Sequence, residues 1–189
     1  MITAYHGTSK MNAKQILEKG FRIKRDEKLY PNDLGHGIYG YVDSDTESGD
    51  TYLMQSAKES ASLFAKQIRK IDEKHVAILR MDIEIDRTEY LDLNEVENRN
   101  HVVRLYQEVL ADLLIDIRVK YAVNRSSRRK QMDGVVLEKL NQDGLMDLPE
   151  VIIKDTYTRF SGILSNFTNG REIVIRDPKV IKAIRLLNV

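Results

Sequence analysis

The stretch Met1-Ile2-Thr3-Ala4-Tyr5-His6-Gly7-Thr8-Ser9-Lys10 decides how the rest of the chain is read. A short apolar segment, residues 2–6, predicts a first strand. It ends in a histidine, a glycine and two hydroxyl residues, and a helix pattern follows at once. A lone titratable side chain in that position reads as one presented by a strand end. Ser9 is the expected N-cap of a helix through Glu18, with Met11, Ile16 and Leu17 turned inward and Gly20 closing it. Two later stretches repeat the arrangement. Leu34-Gly35-His36-Gly37-Ile38-Tyr39-Gly40-Tyr41 predicts a glycine-rich strand over 35–41 that carries tyrosine. Asn169-Gly170-Arg171-Glu172-Ile173-Val174-Ile175 sets a carboxylate at the head of another strand.

The 189 residues suit one domain, 1–189, with a sizeable core. Thirty basic and 29 acidic residues leave a net charge of +1, so bulk charge favours no nucleic-acid partner and any such argument must be local. The absence of cysteine excludes a disulfide framework and a cysteine zinc site. His36, His75 and His101 are not at ligand spacing, so no metal is expected. The start lacks the basic and apolar regions of a signal peptide, and no apolar run is long enough to span a bilayer. A cytoplasmic protein with no membrane partner is expected.

Between these stretches, residues 24–34 and the acidic run 43–50 read as surface loops. Ser56-Ala57-Lys58-Glu59 is a capping box, followed by Ala57, Ala61, Phe64, Ala65 and Ile68 at helical spacing. Residues 75–85 alternate apolar and polar and predict a half-buried strand. A long helix is expected over about 100–121, its apolar face made by Val102, Tyr106, Val109, Leu110, Leu113, Leu114 and Ile117. It leads into the basic run Arg125-Ser126-Ser127-Arg128-Arg129-Lys130, which could meet nucleic-acid phosphates. Residues 135–137, 151–153 and 173–175 predict short strands, and 181–189 closes a sheet. The count of elements points to the α+β class.

On residue type alone, His6 reads as a satisfied strand-end histidine, Glu172 as an exposed strand-start glutamate, and Phe64 as core. Taken together, Tyr5-His6-Gly7-Thr8, Gly35-His36-Gly37-Ile38-Tyr39 and Glu172-Ile173-Val174-Ile175-Arg176-Asp177-Pro178 resemble the three motifs of the ADP-ribosyltransferase superfamily. The subclass is the histidine–tyrosine–glutamate one of diphtheria-type toxins and poly(ADP-ribose) polymerases. The Asp133-Gly134-Val135-Val136 segment, taken as a strand, adds a likeness to small toxin-like members.

The resemblance implies an ADP-ribosyltransferase fold: two small, mostly antiparallel sheets around an NAD cleft, with helices outside. It implies NAD as co-substrate, Glu172, His6 and Tyr39 as catalytic residues, and His6, Gly7, Thr8, Gly37, Tyr39, Ser60 and Phe64 as NAD contacts. Breaking the nicotinamide–ribose bond passes through an oxocarbenium-like state, as in glycoside hydrolysis. Glu172 would stabilise that charge and hold a ribose hydroxyl, and a neutral His6 would bond another. Gly7 would let the backbone approach the nicotinamide carboxamide. Tyr39 would stack on the ring, with Tyr41 the other candidate for that place. Ser60 would bond the carboxamide and Phe64 form the second aromatic wall.

Two features depart from the family pattern. The segment between the tyrosine strand and Ser60 is longer than in the polymerases, and Gly170 stands where arginine-modifying members carry an acidic or amide residue. The implied activity is transfer of one ADP-ribose to a macromolecule, protein or nucleic acid. By analogy the chain is a toxin of a toxin–antitoxin or phage-defence pair, with an antitoxin protein as partner. The alternatives are a non-catalytic NAD- or partner-binding module on the same fold, and an NAD glycohydrolase.

Overall fold

The computed structural model describes residues 1–23, 31–44, 55–120, 132–160 and 167–187, with the side chains of 116–120 left aside. Seven strands and four α-helices follow one another in the described residues: β1 Ile2–Ser9, α1 Lys10–Lys19, β2 Ile38–Val42, α2 Ala57–Leu63, β3 Val76–Ile83, β4 Tyr90–Asp92, α3 Val96–Lys120, α4 Asp133–Gln142, β5 Val151–Thr156, β6 Gly170–Ile175 and β7 Ile181–Leu187. The mixed α+β class is as expected. The basic run 125–130, the acidic run 45–50, and most of the loops around them lie outside the described residues.

The strands make one seven-stranded sheet in the order β4-β5-β6-β2-β1-β3-β7, not the two small sheets expected. All neighbours are antiparallel except β4 and β5. The reason for the difference lies in β1. It pairs with β3 along its whole length, through eight residue pairs, but with β2 only at Ala4↔Val42 and Tyr5↔Tyr41. Two pairs join what is otherwise a pair of lobes. Beyond Tyr5 the strands part, and the sheet opens.

Both faces are covered. Ala4, Ile38, Met81, Ile83, Val151, Ile173 and Ile175 form the largest core on one side, which α1 extends through Ala13 against Ala77 and Leu79. On the other side α2 packs Ala57 and Ala61 onto Tyr41, Val76 and Ile78, while Leu137 of α4 joins Leu34, Ile152 and Val174. This two-sided cover corrects the half-buried reading of β3, whose Val76 and Ile78 are as buried as Leu79 and Met81.

The caps fall where the residue types place them. The Ser9 hydroxyl accepts from the Asn12 N–H, and Gly20, at φ +72°, returns its N–H to the Ile16 carbonyl. Ser56 and Glu59 form the expected reciprocal box. The inward face of α1 differs from expectation. Ala13 is buried, whereas Met11 and Leu17 are exposed, because only one narrow stripe of this short helix reaches the sheet. Likewise α3 buries Val109 and Leu113 against α4 but leaves Leu110 and Leu114 exposed.

Residues 135–137 are helical, not a strand. A short apolar run does not itself distinguish a buried strand from a buried helix. Here Val135, Val136 and Leu140 pack on α3 while Leu137 packs toward the sheet, so α4 is enclosed on two sides. Packing overrides the β preference of the valine pair. The likeness to toxin-like members drawn from a strand at this point is therefore withdrawn.

Candidate active site

The parting of β1 and β2 leaves a cavity of about 1120 Å³, and His6, Gly7, Thr8, Gly37, Tyr39, Phe64 and Glu172 all line it. That is just beyond the roughly 300–1,000 Å³ usual for small-molecule sites. Ser60 is the one expected contact that does not line the cavity. It is fully buried in α2, its Oγ without a hydrogen-bond partner among the described residues, 3.2 Å from where a Gly170 Cβ would stand.

The alternation of strands would put His6 and Glu172 on opposite faces of a flat sheet. His6 lies on the face of Ile2 and Ala4, its ring edge-on to Phe21 at 5.2 Å. Glu172 pairs with Tyr41 in register, on the face of α2. Because the sheet is open between β1 and β2, both faces reach the same cavity. A side-chain bond crosses the gap: His6 Nδ1–H donates to the Tyr39 carbonyl at 2.7 Å.

That bond settles what the imidazole can do. A carbonyl only accepts, so Nδ1 carries the proton and Nε2 is left with a lone pair when the ring is neutral. Burial pushes the His6 pKa down, the Tyr39 bond opposes this, and Arg69 adds a further push down. At neutral pH the ring is uncharged, and Nε2 can accept from a hydroxyl.

Glu172 is 7% exposed. Tyr41 Oη donates to its Oε1 at 3.3 Å, and Thr158 Oγ1 donates to the same oxygen at 3.4 Å. No cation pairs with it among the described residues. Burial, with the negative charge of Asp33 behind it, pushes its pKa up to about 7 against the hydroxyl bonds that lower it. Thr158 is itself fixed by Asn169, whose side-chain amide accepts from the Thr158 N–H at 2.9 Å and donates to the Thr158 carbonyl at 2.8 Å.

The two tyrosines divide the work that sequence left open between them. Tyr39 donates its hydroxyl to the Gly35 carbonyl at 2.7 Å and accepts from the Leu34 N–H at 2.8 Å, so it ties down the 34–37 loop at the rim. Tyr41 is the residue that reaches Glu172. Its ring is 6.3 Å from Phe64, and burial followed by the Glu172 charge pushes its pKa far above the usual phenol range, so it stays a donor.

The rim loop is braced from behind. The Arg176 guanidinium makes two bonds to the Glu138 carboxylate, at 2.5 and 3.3 Å, and the same Glu138 accepts from the His36 N–H at 2.7 Å. Gly35 sits at φ +94°, and α4 comes so close that a Cβ on Gly134 would fall 1.7 Å from the Asn32 carbonyl oxygen.

Gly7 is likewise demanded by packing. A Cβ there would stand 1.8 Å from the Ala61 carbonyl oxygen of α2. Its backbone still faces the opening. The Tyr5 oxygen lies 3.1 Å from the place of a Gly40 Cβ, so Tyr5 turns its polar groups toward β2. In an antiparallel ladder alternate residues turn the same way. Gly7 therefore offers an N–H and a C=O where β2 has already left.

After α2 the chain makes a π-helical turn, Phe64–Ile68, closed by the Arg69 N–H on the Phe64 carbonyl at 3.0 Å. Lys70 follows at φ +57°. Such turns are rare and gather at functional sites, and a non-glycine residue at positive φ costs of order 1–3 kcal/mol. The result is that Phe64 and Arg69 both line the cavity, with the guanidinium 5.5 Å from the ring centre.

Tyr41 apart, sequence reasoning passed over Asp33, Thr158, Asn169 and Arg69. The turn before β2, the chain just after β5 and just before β6, and a π-turn bring these residues to the site, and none of these leaves a spacing to read. Among the described residues no group of three metal-ligating side chains occurs, and no helix is long and apolar enough to cross a membrane. No protein-family model, no curated protein and no solved structure matches the chain.

Proposed function

We propose that the chain is an NAD-dependent mono-ADP-ribosyltransferase, moving one ADP-ribose to a macromolecular acceptor and releasing nicotinamide. The observation that carries the reading is Glu172. It is a buried carboxylate with hydroxyl partners and no cation among the described residues, in one cavity with a neutral His6 and with the edge of Gly7 beyond the last β1–β2 pair. An uncompensated carboxylate stabilises positive charge that grows on a neighbouring sugar as a glycosidic bond breaks. NAD supplies the ADP-ribosyl group, its ribose–nicotinamide bond breaking as the acceptor's nucleophile forms the new one.

The residues divide the remaining tasks. Glu172 holds the ribose and its growing charge. Tyr41 and Thr158 orient that carboxylate, and His6 Nε2 accepts from a ribose hydroxyl. The Gly7 N–H and C=O match the carboxamide of nicotinamide, and Tyr39 and Phe64 supply aromatic walls. The opened sheet is the feature in keeping with the ADP-ribosyltransferase fold. On the resemblance, the protein acts in the cytoplasm as a toxin whose antitoxin covers the cleft.

Incubation with NAD labelled in its adenylate portion, with and without cell lysate, tests the reading. Label transferred to a lysate macromolecule with stoichiometric nicotinamide is the expected result, and the labelled component names the acceptor. Nicotinamide released equally without lysate would make the chain a glycohydrolase. Binding without release would make it a non-catalytic module.

A further inference from the structure

The ladder between β5 and β6 ends at Thr156↔Gly170, yet the chain just beyond it stays locked together. Asn169, 6% exposed, does this with both its backbone and its side chain. Its N–H donates to the Thr156 carbonyl at 3.0 Å. Its Oδ1 accepts from the Thr158 N–H at 2.9 Å, and its Nδ2 donates to the Thr158 carbonyl at 2.8 Å. A primary amide carries the donor and the acceptor of a peptide unit, so this side chain stands in for a missing rung of the sheet. A carboxylate of the same size could not, because it only accepts.

Both side-chain bonds go to the backbone of Thr158, and the hydroxyl is left for Glu172 Oε1 at 3.4 Å, with Tyr41 Oη 3.3 Å away. Tyr41 donates to the same oxygen, and two hydroxyls converging on one atom fix the rotation of the carboxylate. Tyr41 is placed by strand pairing with Tyr5 and Glu172. Thr158 lies past the end of β5, so its hydroxyl is only as well placed as Asn169 makes it. Neither Asn169 nor Thr158 lines the cavity, and their influence on it passes through Glu172. The other charged groups around are engaged elsewhere or repel. Lys154, opposite Glu172 on β5, gives its ammonium to Asp133 of α4. Asp33, before β2, repels. From α2 come the uncharged Ala57, Ser60 and Ala61, and Arg69 beyond it lies over the Phe64 ring.

We propose that Asn169 is a positioning residue of this site, its side-chain amide holding the Glu172 carboxylate in place through Thr158. What the carboxylate then does rests on the NAD reading; the hold on it belongs to the chain itself.

NMR of protein labelled at its glutamate carboxyls follows Glu172 without NAD, the signal being assigned by its loss in Glu172→Gln. In wild type the Asn169 side-chain amide signals are expected to shift with the same midpoint as Glu172, and to stop doing so in Glu172→Gln. Amide signals that are flat through that range would overturn the proposal, whether or not any Asn169 variant folds. Asn169→Ala and Thr158→Val are each expected to raise the Glu172 midpoint, by up to about one pH unit, as a donor to the charged form is lost or misplaced. The double variant should move it no further than Thr158→Val alone, because the amide acts through that hydroxyl. Additive shifts, or a folded Asn169→Ala with the wild-type midpoint, would overturn it. With NAD, Asn169→Ala is expected to lower kcat about 10–100-fold and leave KM within about twofold. A raised KM with kcat unchanged would count against positioning. Coupled titration in a chain that never releases nicotinamide keeps this inference and removes the activity. Release that Asn169→Ala leaves intact, at an unmoved midpoint, does the reverse.

Discussion

Glu138 and Glu172 are buried to nearly the same depth, at 9% and 7% exposure, yet their surroundings drive them in opposite directions. Burial acts to raise the pKa of both. At Glu138 the Arg176 guanidinium and the His36 N–H outweigh it and hold the carboxyl below its ordinary range. At Glu172 only hydroxyls answer among the described residues, Asp33 adds repulsion to the burial, and the pKa rises to about 7. One charge is spent on holding the rim loop to α4. The other is left uncompensated, facing a cavity. The difference separates a structural carboxylate from one available for chemistry.

The largest expected effect comes from breaking the compensated site. Glu138→Ala strands the buried Arg176 charge and is expected to cost about 3–5 kcal/mol. In a chain of this size that lowers Tm by roughly 10 °C, read by thermal unfolding. Replacing both partners with apolar residues, Glu138→Leu with Arg176→Met, should recover much of the loss. A single variant as stable as wild type would remove the distinction between the two glutamates.

Glu172→Gln is expected to do the opposite. The folded pKa of about 7 lies above the ordinary 4.5, so the folded state holds the proton more tightly than the unfolded one. Stability tied to this group is full below pH 4.5 and is lost as pH rises through 7. The variant should therefore unfold like wild type near pH 4 and be more stable by up to about 3 kcal/mol at pH 8. Denaturant titrations at the two pH values decide it, and a destabilised variant at pH 8 would mean that the carboxylate is compensated after all.

The smaller effects sharpen the account of what tunes Glu172. Nicotinamide release should rise with pH about a midpoint near 7, as the carboxylate ionises. Asp33→Asn removes repulsion and should lower that midpoint. Tyr41→Phe removes a donor and should raise it, each by up to about one pH unit. Movement of both in the same direction would show that the pH profile belongs to another group.

Much of this was legible in the chain. The strands carrying His6, Tyr39 and Glu172, the caps at Ser9 and Ser56, and the Gly20 terminator depend on local patterns, and these are what a sequence displays. What was hidden depends on pairing. The register that sets Tyr41 opposite Glu172, the two-pair joint between β1 and β2, and the Asn169 hold on Thr158 are long-range facts with no local trace. Residues 135–137 misled because a buried helix and a buried strand share one composition. The packing at two glycines was hidden as well: α2 leaves no room for a Cβ at Gly7, and one at Gly170 would stand a tight 3.2 Å from Ser60 Oγ and from the Tyr41 ring.

The most direct test of the central claim is nicotinamide release from NAD by wild type and by Glu172→Gln, each with and without cell lysate. Gln keeps the shape and removes the charge. The account predicts release by wild type in the presence of lysate and a fall of about 10²–10³-fold in the variant, which remains folded. Equal rates in the two proteins, or no release by wild type although NAD binds, would contradict it.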